Sequence, residues 1–234
     1  MPFFKSDSLE QRARAAWERR ATPVFRGVYD AQMRRLLNAI SRATPETIVV
    51  LLSEQWSKEP AVVQAAVQAF YDEMALAVGG AAFADLPTPD DWQVIADSLF
   101  TASRRRAGAF AATMTETSMK QTQDVIAAWL DTPEATTGEL RDMMRGVWTG
   151  PRPDAAAVTE TTYMYSQSRH TAWQAAGFWG YSIVTMNDGH VRPSHEEAAK
   201  NGPYPFSDTT HQPPVNDDVN CRCVSVPVLE NPYG

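Results

Sequence analysis

The feature that most constrains this chain is a change of hydrophobic period near Gly180. Before it, apolar residues recur three and four positions apart, as on a helix face; after it, they alternate. Val24, Phe25, Val28, Met33, Leu36, Leu37 and Ile40 form one stripe, and Thr22-Pro23 offers a cap and a first-turn proline for it. A short helix is expected over 48–56 after Thr44-Pro45. Pro60 then opens another, carried by Val62, Val63, Ala66, Val67, Phe70, Met74 and Val78 and ended by Gly79-Gly80. Thr88 as N-cap and Pro89 begin the next, continued by Trp92, Ile95, Leu99 and Phe100. Gly108 marks a kink or break. Val125, Ile126, Trp129 and Leu130 restore a face before Asp131-Thr132-Pro133 stops it. Two further helices are expected over 139–148 and 154–176.

Beyond Gly180 the β-branched stretch "YSIVTMNDG" predicts a strand running into an Asn187-Asp188-Gly189 turn. "VRPSHEEAAKNG" reads as a polar turn or short helix ending at Asn201-Gly202. A proline-rich loop follows, and "CRCVSVPVL" reads as a closing strand with Pro227 at its end or on an edge. The expected class is α+β: a predominantly helical portion over 1–130, a linker and short helix over 131–153, and a small α+β module with a few strands over 154–234.

Composition narrows the class. With 234 residues, 44% hydrophobic and 21% charged, the chain can bury a sizeable core. No apolar run approaches the ~18–20 residues of a membrane span, so no membrane partner is expected, and the opening residues show no secretory h-region. Two cysteines make no disulfide framework, which predicts a reducing, intracellular setting. The net charge of −7 conceals an asymmetry: residues 1–43 hold nine Lys/Arg against four acids, +5, which leaves −12 on the rest. A basic arm on an acidic body suggests docking to an acidic partner, or nucleic-acid contact at the arm alone; the plainer reading is a solvated helix face. "RRR" at 104–106 cannot share one helix face and reads as surface.

The chemistry concentrates in "VNDDVNCRC". Cys221 and Cys223 are the only thiols, and extended backbone would set them on one face about 6.6–7 Å apart. They read as a partial metal site, a buried thiol pair, or a fragment of a larger pattern. His195 is metal-competent, with His211 and Asp218 nearby in sequence, and zinc favours thiolate and imidazole in tetrahedral sets of four. C-x-C is not the commoner knuckle spacing. A thiol nucleophile with a histidine base is the catalytic alternative, but no H-E-x-x-H, Walker, G-x-S-x-G or dinucleotide motif accompanies it. Thr159, Glu160 and His170 can supply acid–base groups, though a lone Glu or His on a helix is more often surface or capping.

The order of pieces in the last third adds to this. "TETTYMYSQSRHTAWQAAG", a strand, "NDGHVRPSH", "NG", a Pro-Pro loop and "NCRC" together resemble the C-terminal domain of the Mu F-like phage head morphogenesis, or minor head protein, family. Thr159 and Glu160 match its helix motif; Asp188, Arg192, Pro193 and His195 its central motif; and Gly202 its glycine. Pro213 and Pro214 match the loop, and Asn220, Cys221, Arg222 and Cys223 the terminal motif. The likeness covers about residues 154–226. It departs at Val158, where the family usually has Arg, and at Asp218-Val219 in place of His-Pro; some relatives carry a cysteine at the position of Arg192. The resemblance implies a non-enzymatic minor capsid protein that joins the phage head near the portal. It further implies assembly in the host cytoplasm, portal or major capsid protein as partner, and packaged DNA as a contact of the basic arm. His195, Cys221, Cys223 and Asp218 are the expected ligands of a structural zinc. A metal- or thiol-dependent enzyme or toxin-like effector, and a metal-binding adaptor outside a virion, are the alternatives.

Overall fold

The computed structural model describes residues 7–44, 46–84, 92–148, 150–186, 189 and 191–233. Six helices and three strands follow in order: α1 (Asp7–Ile40), α2 (Ile48–Ala84), α3 (Trp92–Leu130), α4 (Thr137–Trp148), α5 (Arg152–Ala175), β1 (Gly180–Val184), α6 (Pro193–Asn201), β2 (Tyr204–Pro205) and β3 (Val224–Val228). The α+β class is as the change of period predicts. The expected caps at Thr88-Pro89, the residue Pro45, and Asn187-Asp188 of the expected turn lie outside the described residues.

Two prolines do not begin helices, and a glycine pair does not end one, where the sequence predicts. Pro23 lies inside α1 and Pro60 inside α2, each removing one backbone hydrogen bond at a cost of about 3 kcal/mol. Burial on both sides outweighs that cost. Ala21 and Phe25 flank the first proline, and Trp56 and Val63 the second, all at 7% exposure or less. Gly79-Gly80 also sits within α2. A Cβ at Gly79 would lie 2.5 Å from a Leu99 methyl, so the glycine serves close approach of α3 rather than termination. Gly108 leaves α3 unbroken.

Contacts divide the chain into two compact units built from separate segments. One comprises the segment ending at Thr22, Phe70–Arg104 and the segment from Ala155; the other comprises Pro23–Ala69 and Arg105–Asp154. Their composition cuts across the 1–130, 131–153 and 154–234 division, because α1, α2 and α3 each give residues to both.

The second unit is helical, with Phe25 packed edge-on to Phe110 at 5.0 Å. Its buried polar centre is Glu59, fully buried. Glu59 accepts two hydrogen bonds of 2.8 Å from Arg35 and one of 2.6 Å from Gln55, and Gln32 donates to it at 3.4 Å. An apolar groove of about 610 Å³ runs between α2 and α3 here, lined by Leu52, Trp56, Ile126 and Leu130.

In the first unit, β1 lies between β2 and β3 in an antiparallel sheet, with Tyr181 opposite both Tyr204 and Pro227. Pro227 is thus on an edge strand, where proline is tolerated. A Cβ on Gly180 would overlap the Tyr204 carbonyl, so only glycine admits β2 at this distance. Tyr181, Ile183, Ala198, Tyr204, Val215, Cys221 and Cys223 form one core beneath the sheet.

The basic N-terminal stretch is structural in large part. Arg14 is 1% exposed and pairs with Glu18 at 2.9 Å, and Arg20 pairs with Glu73. In the second unit Arg26 pairs with Asp154 and Arg35 with Glu59, both at 2.8 Å. Arg19, Arg34 and Arg42 are exposed and make no ion pair among the described residues.

Candidate metal centre

Both cysteines precede β3 rather than lying on it, which corrects the expected strand from 221. The chain reaches them through residues in left-handed backbone: Asn216, Asp217 and Asn220, at φ of 54°, 55° and 63°. Asn and Asp tolerate that region better than most side chains. Two α5 hydroxyls fix the turn. Asn220 donates its backbone N–H to Thr159 Oγ1 at 3.0 Å, and Thr162 Oγ1 donates to the Cys221 carbonyl at 2.6 Å. Thr162 in turn accepts from buried Arg14 at 3.4 Å.

His195 comes from the first turn of α6, which Pro193 starts. Its Nδ1 lies 3.8 Å from Cys221 Sγ and 3.6 Å from Cys223 Sγ, and all three side chains are 3% exposed or less. The three ligand atoms fall within 4.8 Å of one another. A tetrahedral zinc with bonds of about 2.3 Å to sulfur and about 2.0–2.1 Å to nitrogen requires S···N edges of about 3.6 Å. The donor set and its spacing therefore fit a soft divalent ion, and this group can hold one. The expectation of paired thiols near His195 is met.

Asp218 does not join them as a ligand. Its Oδ2 lies 2.9 Å from the opposite ring nitrogen, His195 Nε2, so Nε2–H donates to the carboxylate and the Nδ1 lone pair is left facing the sulfurs. A carboxylate in this position fixes the orientation of a histidine ring that can ligate a metal through its other nitrogen. Asp218 is held in turn by Arg192, whose Nε is 3.7 Å away and whose Nη2 donates to the Val219 carbonyl at 2.9 Å. Asp188, the other expected partner of Arg192, lies outside the described residues.

The thiols are poised unequally. The hydrogen bond between the thiols holds Cys221 below the usual thiol range against the effect of burial, and the same bond, reinforced by burial, pushes Cys223 up.

The other expected groups lie elsewhere. His211 pairs with Asp208 at 2.9 Å and stacks on Tyr204. Glu160 and His170 are buried, not surface or capping groups. Tyr71 donates to Glu160 at 2.7 Å, and His170 lies among Trp173, Tyr181 and Phe206. Sequence reasoning missed Arg14, Thr162 and Glu18. Glu18 accepts from Arg14 and, at 3.3 Å, from Arg222 of the C-R-C segment. Burial acts to raise the Glu18 carboxyl, and the two guanidiniums overcome it and hold it low. The i,i+4 spacing of Arg14 and Glu18 was the one local signal for this group.

Comparison with protein-family models, with curated proteins and with solved structures finds no match to this chain.

Proposed function

We propose that this chain is a phage minor head protein of the Mu F-like kind, which docks on the portal or inner capsid during head assembly and catalyses no reaction. The observation that carries the reading is convergence. Thr159, His195, Asn220, Cys221 and Cys223, which carry the resemblance from separate parts of the last third, meet in one small cluster. In this reading a zinc held by His195, Cys221 and Cys223 ties α6 to the segment entering β3.

The surface of the second unit supports a protein that works in contact with a larger assembly. Its apolar groove is rimmed by Val49 and Leu130, 63% and 51% exposed, and patches of this kind mark interaction sites. Arg34 and Arg42 are available for an acidic partner or for packaged DNA. Removing residues 1–43 is not a fair test of docking, because Arg14 and Glu10 are buried in the fold.

The test is co-purification of the full chain with a phage portal protein from the same genome. Stoichiometric capture, weakened by Arg34→Glu with Arg42→Glu, supports the reading. No capture of the folded chain contradicts it and returns the effector and adaptor readings.

A further inference from the structure

Among the described residues the cluster has three protein donors, and all three border one small pocket. His195, Cys221 and Cys223 all line one pocket of about 30 Å³, whose remaining wall includes Arg192, Asn220 and Arg222. That volume admits a water-sized ligand. Asp218, the only carboxylate among the described residues in contact with the histidine, is engaged on the far nitrogen and is not among the converging donors. Asn220 and Arg192 are exposed at the pocket wall, so the pocket communicates with solvent.

We propose that the metal centre is coordinatively open: a divalent zinc-like ion held by His195 Nδ1, Cys221 Sγ and Cys223 Sγ, with an exchangeable solvent molecule or small anion as fourth ligand. The inference rests on the metal part of the reading above and is independent of the phage-head assignment. Structural zinc sites fill all four positions with protein atoms, whereas three protein ligands leave one for an incoming donor. As the two metal–sulfur bonds form, the two thiols give up their protons to solvent, and the neutral imidazole contributes its lone pair without proton loss. The metal dithiolate is then neutral, and its remaining position takes either water or a small anion.

Cobalt(II) in place of zinc reports the coordination directly. The full chain loaded with one equivalent of Co²⁺ is expected to show a sulfur-to-cobalt charge-transfer band and tetrahedral d–d bands. Sodium azide is then expected to shift the d–d bands saturably, with one azide per cobalt, while the charge-transfer band persists. Tetrahedral bands that azide leaves unchanged would overturn the proposal, since a protein atom such as Asn220 Oδ1 would then fill the fourth position. Loss of the charge-transfer band on adding azide would overturn it too, because the anion would be removing the metal rather than joining it. Absence of any sulfur-to-cobalt band would overturn the metal reading as a whole without bearing on portal capture.

Discussion

Two histidines of the C-terminal module each hold an aspartate at 2.9 Å, and they end in different chemistry. His211 offers Nδ1 to Asp208, stacks its ring 4.3 Å from that of Tyr204, and remains a third exposed. His195 offers Nε2 to Asp218 and is 2% exposed, with its other nitrogen set between two sulfurs. The carboxylate–imidazole pair is the same; what lies across the ring differs. A histidine–aspartate pair alone is a surface ion pair worth at most about 1 kcal/mol. Placed behind two buried thiols, it becomes the orienting half of a site that can hold metal. The Glu59 centre of the second unit makes the same point from the other direction. There every converging group is a donor to one carboxylate, so the network is complete without a ligand.

Variants can break this contrast, and the largest effect is expected at the sulfurs. Saturating zinc at about a thousand times its dissociation constant stabilises the chain that binds it by roughly 4 kcal/mol, which raises the midpoint of thermal unfolding by about 10 °C. Cys221→Ser with Cys223→Ser is expected to abolish that zinc-dependent rise, read by calorimetry with and without metal.

His170 sharpens the contrast as a third histidine with no carboxylate beside it. Burial pushes it down to about 3, with the charge of Arg169 a smaller cause, and its Nε2 has no partner among the described residues. The unfolded chain takes up a proton as pH falls through about 6.5, while the folded chain does not until about 3. The stability held by neutral His170 is therefore complete above pH 6.5 and is lost on acidification towards pH 3. His170→Phe is expected to remove up to about 5 kcal/mol of that acid sensitivity, read as denaturant unfolding at a series of pH values.

The aspartates come last. Asp218→Asn is expected to weaken metal affinity about 10- to 100-fold by chelator competition, as loss of an outer carboxylate does. His211→Ala should leave metal affinity unchanged and cost less than about 1 kcal/mol. Equal effects of the two substitutions would dissolve the distinction between the pairs.

Much of this was legible along the chain, and its failures have a common cause. The change of period near Gly180 announced the sheet, and the C-x-C spacing with His195 announced the cluster. The prolines at 23 and 60 misled because a proline's local cost is visible in sequence, while the burial of Phe25, Trp56 and Val63 that outweighs it is tertiary. Asp218 reads along the chain as a fourth metal ligand, and that it meets the far ring nitrogen of His195 instead depends on how α6 faces the loop from Val215. Arg14 and Thr162 stand 148 positions apart, and nothing local links them.

The most direct test of the account is the zinc content of the purified full chain, measured by elemental analysis after dialysis against a weak chelator. The account predicts close to one zinc per wild-type chain and none in the folded Cys221→Ser, Cys223→Ser variant. A zinc-free wild-type chain that takes up none on loading, or equal zinc in the variant, would contradict it.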